Sequence, residues 1–286
     1  MSISETYTTP EPISASIEIE VGNAKIVTGK RADTTVVVRP ADGTKDADVK
    51  AAEQTKVDYS GGRLTVRGPK TKKRSLFGSP GAIEVVVELP VGSQVSGGAA
   101  VGAFLCEGEL GECRIKVATG DIQIEHAGTA HLGTSHGDIL VDRVSGNAEL
   151  SGSGRLRVGE ITGTATIANS NGEITLHEVV GELRAKTANG AIAIGRAHAG
   201  LNARTANGSI RIDEVARGQV VLETGAGNID IGIRKSTTAW LDVQSKFGRV
   251  RQLLDETEGP ATSEETIEVR ARSGVGDITV RRATAA

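Results

Sequence analysis

The chain has 286 residues and a formal net charge of −3, from 33 basic and 36 acidic side chains that are well mixed. That balance argues against nucleic acid, or any general polyanion, as the partner, and two cysteines are too few for a disulfide framework. Glycine contributes 37 residues while aromatics make up only 2%, which excludes a ring-packed core and points to many tight turns around stacked aliphatic side chains.

From the N-terminus, MSISETYTTPEPISASIEIE has neither a basic n-region nor an apolar stretch of signal-peptide length. No segment reaches the ~18 apolar residues that span a bilayer, and the terminal RRATAA carries no sorting pattern. The expectation is a cytoplasmic protein. Residues 1–95 read as a β-rich capping segment, with alternating apolar runs at 13–21, 35–39, 56–59, 64–67 and 83–89. Two loops interrupt it. Residues 42–54 are polar with some helical character, and residues 69–80 carry Lys70, Lys72, Lys73 and Arg74 beside Leu76 and Phe77. This basic cluster is the candidate partner-binding site, suited to an anionic group on nucleic acid or a lipid head; the plain alternative is a solvated loop.

Residues 96–286 carry the main signal, an internal repeat. A unit of the form hydroxyl-x-x-Gly-x-apolar-x-apolar places glycines at 102, 120, 137, 154, 172, 190, 208, 227, 248 and 276. The first seven spacings stay within one residue of 18, and the last two lengthen to 21 and 28. A second series runs through Gly111, Gly128, Gly146, Gly163, Gly181, Gly200 and Gly218. Period-two pairs such as Ile192/Ile194 and Ile210/Ile212 follow the first corners, and Ala148/Leu150 and Val220/Leu222 follow the second. Two short strands every ~18 residues leave no room for a crossover helix; the chain must wind as a coil that stacks on its predecessor and buries its apolar side only against neighbours. Thr134, Ser151, Asn169, Thr187, Thr205, Thr224, Ser245 and Ser273 form a polar column able to hydrogen-bond between coils. The repeated Thr-Ala-Asn-Gly at 187–190 and 205–208 reads as a corner in which Asn and Gly accept positive φ.

Cys106 and Cys113 fall on inward positions and read as two buried thiols, with a disulfide or metal pair as the alternative. His126, His131 and His136 are five residues apart, but the repeat puts them on different sides of a coil. The Gly-Asp corners lack the nonapeptide of a calcium-binding roll, and no GxxxxGK[ST] loop is present. Outward positions such as Asp121, Gln123, Asp138, Arg157, Thr175, Arg211 and Asp230 are too mixed for the carboxylate cleft of a polysaccharide lyase or hydrolase. No cofactor or metal is expected. Residues 253–265 form an acidic insertion with Asp255, Glu256, Glu258, Glu264 and Glu265, after which residues 276–282 make the final coil. An open coil end pairs with other chains unless covered. The expectation is therefore self-association through this end, either tail to tail or head to tail between the basic loop and the acidic insertion.

The corners Gly120-Asp121-Ile122, Gly137-Asp138-Ile139, Gly172-Glu173-Ile174, Gly208-Ser209-Ile210 and Gly276-Asp277-Ile278, with Leu89-Pro90 and Gly92-Ser93 ahead of the repeats, resemble the bacterial β-strand-repeat family labelled "putative adhesin", a domain of unknown function of actinobacterial type. Thr9-Pro10-Glu11-Pro12-Ile13 and Leu110-Gly111-Glu112-Cys113-Arg114 share the likeness, which covers most of residues 10–282. The resemblance implies a parallel β-solenoid and brings no catalytic motif. The fold expected is all-β: a single-stranded parallel β-solenoid, right-handed by the crossover preference, of about ten ~18-residue coils behind the N-terminal cap. The function expected is a non-enzymatic cytoplasmic scaffold or binding module presenting a solenoid face to a protein partner. The alternatives are a surface adhesin-type carbohydrate-binding protein and, behind it, a polysaccharide-active enzyme.

Overall fold

The computed structural model describes residues 3–70, 80–254 and 265–284. It divides into two compact units, residues 1–144 and 145–286.

The first unit contains β1 (Ile3–Thr8), β2 (Ser14–Gly29), β3 (Asp33–Pro40), α1 (Asp46–Gln54), β4 (Lys56–Ser60), β5 (Arg63–Arg67), β6 (Ile83–Pro90), β7 (Gln94–Val101), β8 (Phe104–Thr119), β9 (Ile122–His136) and β10 (Ile139–Val144). Strand β2 is a full coil, which the sequence reading placed outside the repeat. Its first arm pairs in parallel with β7 and its second with β8. Its corner is Gly22, at φ +137°, whose carbonyl oxygen lies 1.6 Å from where a Cβ on Gly102 would stand. The signal was present: Val21-Gly22-Asn23-Ala24-Lys25-Ile26 matches Val101-Gly102-Ala103-Phe104-Leu105-Cys106 in corner and apolar spacing. On the far side of β2 lie β5 and β6, and there the parallel pattern stops, because β4 joins β5 and β3 joins β6 antiparallel, with β1 antiparallel to β3.

The 42–54 loop supplies α1, whose Ala51 and Ala52 are buried. The buried Asp48 carboxylate fixes the helix to its surroundings by accepting from the N–H groups of Asp42 (3.1 Å) and Ala82 (2.8 Å). The rings of Tyr7 on β1 and Tyr59 on β4 meet with centroids 4.9 Å apart. The core itself is aliphatic, with Phe104 its one fully buried ring among the described residues. That ring fits because Gly97 faces it: a Cβ there would lie 2.4 Å from Phe104 Cε1.

The second unit contains β11 (Ala148–Gly152), β12 (Leu156–Ile161), β13 (Ala165–Asn171), β14 (Ile174–Val179), β15 (Leu183–Asn189), β16 (Ile192–Ala197), β17 (Leu201–Asn207), β18 (Ile210–Val215), β19 (Gly218–Ala226), β20 (Ile229–Ile233), β21 (Thr237–Phe247), β22 (Val250–Leu253), β23 (Glu265–Val275) and β24 (Ile278–Arg282). Alternate strands stack in two parallel ladders. In the first, β11, β13, β15, β17 and β19 follow in order; in the second, β12, β14, β16, β18 and β20 do. Successive coils present identical inward positions, so Ile174, Ile192, Ile210 and Ile229 form one column and Leu176, Ile194, Ile212 and Ile231 another, all essentially inaccessible.

The order then breaks. β19 pairs with β23 rather than β21, and β20 with β24 rather than β22; β21 and β22 lie outside β23 and β24. The C-terminal coil is thus paired on both sides, which corrects the expectation that residues 276–282 form the open end. The outer strand of the first ladder is β21. Its inward Ala239, Leu241 and Val243 are only half-buried, since among the described residues no strand stacks upon them.

The glycine period has a steric cause. At Gly208 a Cβ would stand 2.0 Å from the carbonyl oxygen of Gly190, and the same approach recurs at Gly190, Gly227 and Gly276. Among the described residues only glycines have positive φ, so Asn189 and Asn207 do not share the corner conformation expected of them. They stack as an amide ladder instead: Asn189 Nδ2 donates to Asn171 Oδ1 and Asn207 Nδ2 to Asn189 Oδ1, each at 3.0 Å. The polar column does join coil to coil, through the corner carbonyls. Thr205 donates to Gly190 O (3.1 Å), Thr224 to Gly208 O (2.8 Å) and Ser273 to Gly227 O (3.0 Å).

One rung is irregular. Asn169 Nδ2 takes both Gly154 O (2.8 Å) and Gly172 O (3.1 Å), which deprives Thr187 of its acceptor. Asn169 Oδ1 and Thr187 Oγ1 are buried without a hydrogen-bond partner. Asn169→Thr is expected to free Gly172 O for Thr187 and to stabilise the protein by about 1 kcal/mol. Thr187→Val checks the assignment: it should be neutral or stabilising in the native background and destabilising beside Thr at 169, as read by thermal denaturation of all four proteins.

Candidate functional site

Of the candidate basic cluster, Lys70 is exposed beyond the end of β5, while Lys72, Lys73 and Arg74 lie outside the described residues. Most of the acidic insertion lies outside them too. Cys106 and Cys113 are both buried and free. They occupy the two arms of β8, in register with Ile26 and Val95 respectively. The Cys113 thiol beside it, and then burial, push the Cys106 thiol well up from its usual range, away from the reactive thiolate.

The histidines do not converge. Along β9, His126 stands opposite Arg143, His131 opposite Arg114, and His136 opposite Thr119. Among the described residues no three metal-ligating side chains come together. At the corners the side chains accept backbone N–H groups of the neighbouring coil: Asp121 Oδ1 accepts the N–H of Asp138 (2.8 Å), Asn228 Oδ1 that of Asp277 (2.9 Å), and Asp277 Oδ1 that of Arg249 (2.9 Å). On the second ladder, Asp213 and Asp230 both contact Arg281, at 3.6 and 2.9 Å, and Arg211 Nε donates to Asp213 at 2.8 Å. Near the end of β14, Glu178 holds Arg196 and His198, each at 2.7 Å, and the His198 hydrogen bond, followed by the Arg196 charge, keeps its carboxyl below the usual range.

The outward face of the first ladder is different. Register places Thr166, Arg184 and Asn202 in one row across β13, β15 and β17, and Ala168, Lys186, Arg204 and Glu223 in the next, across β13 to β19. Arg204 Nε donates to Asn202 Oδ1 (3.0 Å) and lies 3.4 Å from Glu223. Arg270 and Arg272 on β23 both engage Asp242 on β21, at 3.4 and 2.6 Å. The Arg272 hydrogen bond, ahead of the coulombic pull of both guanidinium groups, lowers the Asp242 carboxyl from its ordinary value.

The side chains of Arg184 and Lys186 have no ion pair or hydrogen bond among the described residues. They flank a groove of about 220 Å³ bounded by Thr166, Asn202 and Arg204. A shallower depression of about 530 Å³ adjoins it, reaching Glu223 and Arg272. Like charges set side by side across a ladder, as Lys186 and Arg204 are, oppose folding, so this spot sacrifices stability that an incoming anion would restore. The sequence reading overlooked it by inspecting outward positions of the other ladder; the period-two pair Arg184/Lys186 beside Arg204 was the available signal.

Among solved structures, the chain is similar to one described as a "putative adhesin" from Parabacteroides merdae, at 14% identity over 98% of this chain and 95% of that one, with a TM-score of 0.43. It is similar also to a "putative lipid binding protein" from Parabacteroides distasonis, at 11% identity, 98% and 96% coverage and a TM-score of 0.47. A third, described as a "putative adhesin" from Bacteroides fragilis, gives 16% identity, 98% and 97% coverage and a TM-score of 0.32. No curated protein matches. The family model described as Toastrack DUF4097 matches residues 15–284. With its glycine-cornered coils and parallel ladders, the chain belongs to the Toastrack DUF4097 family, a domain family of unknown function.

Proposed function

We propose that the protein is a non-enzymatic binding module of the cytoplasm that presents the outward face of the first ladder of its second unit to an extended, acidic segment of a protein partner. The observation that carries this reading is the trio Arg184, Lys186 and Arg204, two of whose charges have no partner among the described residues at the edge of a groove. Glu223 interrupts the cationic row, which suits discrete carboxylates on a chain better than a continuous phosphate backbone. A pair of buried free thiols supports a reducing compartment.

The test uses a short fluorescent poly-L-glutamate, followed by anisotropy from low to high salt. Arg184→Glu combined with Lys186→Glu should weaken binding by about tenfold, equivalent to ~1.4 kcal/mol, and flatten the salt dependence. Binding that survives this change but disappears on reversing Lys72, Lys73 and Arg74 moves the site to the basic cluster. Equal or tighter binding of duplex DNA overturns the acidic-protein reading, and recovery of the native protein in the envelope fraction overturns its location.

A further inference from the structure

We propose that the chain forms a closed two-fold dimer through the free edge of β21, which pairs antiparallel with β21 of a second copy about an axis at Gln244. The edge strand is eleven residues long, Thr237–Phe247, and among the described residues β23 is its one ladder partner. Such an edge is a template for another strand. It is not blunted as edges of monomeric sheets are: it contains no proline and no bulge, and Lys246 is its single basic residue.

The side chains around it resemble a contact surface. The chain has one Trp and three Phe, and Trp240 and Phe247 stand 71% and 64% exposed on this strand, with Leu253 of the adjoining β22 at 62%. Aromatic side chains in such positions anchor interfaces. Leu241 and Val243, inward in direction but only half-buried, have no covering coil among the described residues.

The register follows from pleat and charge. Residues of like parity must oppose each other, since a one-residue slip would set inward Leu241 and Val243 against outward Asp242 and Gln244. An axis at Asp242 would put two carboxylates directly opposite, which is destabilising. An axis at Gln244 puts Asp242 opposite Lys246 of the second copy, and by symmetry does so twice. On the same arrangement Leu241 faces Phe247 and Val243 faces Ser245. Among the described residues Lys246 makes no ion pair, and it lies over the Phe247 ring, 5.4 Å from its centroid. The interface is isologous, so it closes at two copies and does not propagate. A head-to-tail contact through the 69–80 loop plays no part in it.

The experiment reads the axis directly. A residue on the two-fold stands opposite itself, at a Cα separation that a disulfide can bridge. In the full chain, Gln244→Cys should form a disulfide-linked dimer under mild oxidation by oxidised glutathione, with the buried Cys106 and Cys113 as unreactive bystanders, whereas Asp242→Cys and Thr238→Cys should not. Sedimentation velocity of the unmodified chain should show a monomer–dimer equilibrium. The emission of Trp240, the only tryptophan, should shift to shorter wavelength as concentration rises. Lys246→Glu, an exposed substitution that leaves the fold intact by circular dichroism, should weaken the dimer at least tenfold. A monomer at every concentration up to millimolar, with no cross-link through Gln244→Cys, would overturn the proposal and mean that residues of the same chain, or nothing, occupy the edge. Cross-linking through Asp242→Cys in preference to Gln244→Cys would overturn the register.

Discussion

Replacing Ile210 with Asp is expected to abolish cooperative unfolding of the second unit. Ile210 is fully buried and lies in register between Ile192 and Ile229. A carboxylate there has no partner in the column and no route to water, and an unpaired buried charge costs far more than the ~1 kcal/mol of an ordinary substitution. Each coil depends on both neighbours for its apolar contacts, so the loss spreads along the ladder. The expected destabilisation exceeds ~4 kcal/mol, whereas Ile210→Val, which removes one methyl group, should cost about 1 kcal/mol. Thermal denaturation followed by circular dichroism distinguishes them; an Asp variant that melts like the parent would mean that residue 210 faces solvent and that the register is wrong.

Gly208→Ala is expected to have the next largest effect. The corner sits at φ +150°, and the added Cβ would fall 2.0 Å from the carbonyl oxygen and 2.5 Å from the carbonyl carbon of Gly190. Both are backbone atoms of the preceding coil and cannot rotate away, so the ladders on either side must part. Together with the strain of a left-sided φ, this should destabilise by more than ~2 kcal/mol. Gly61 provides the control, because it too has positive φ (+55°) but no atom within 4 Å of its Cβ position. Asn tolerates that conformation, so Gly61→Asn should stay within about 1 kcal/mol of the parent in urea unfolding.

These two residues also explain how much could be read from the sequence. Where one coil lies against the next, the close corners need glycine and most inward positions are aliphatic, so the period of ~18 is a direct imprint of backbone contact and gives the solenoid away. The coil formed by Ser14–Gly29 escaped notice because the strands stacked on it, Gln94–Val101 and Phe104–Thr119, are some eighty residues distant; a single Val-Gly corner without an adjacent copy shows no period. The exchange of order at the other end was hidden for the converse reason. Periodicity reports that Gly248 and Gly276 are corners but is silent on which one stacks on Gly227, and only the spacings of 21 and 28 marked the place. The cationic groove was harder still, since outward residues are free to vary and nothing in the packing constrains Arg184 or Lys186.

The exchanged order of the last two coils bears on how the protein is made. A parallel solenoid can lengthen vectorially, each coil settling on the last as it leaves the ribosome. That process reaches β19 and β20 and halts. The next strands to emerge, β21 and β22, have no seat, because their ladder neighbours β23 and β24 have yet to be synthesised. They must wait as unpaired apolar chain until β23 and β24 dock on β19 and β20, and only then close over them. Completion of the second unit therefore waits on residues 265–282, and a nascent chain stalled after Leu253 would display an unseated strand bearing Trp240.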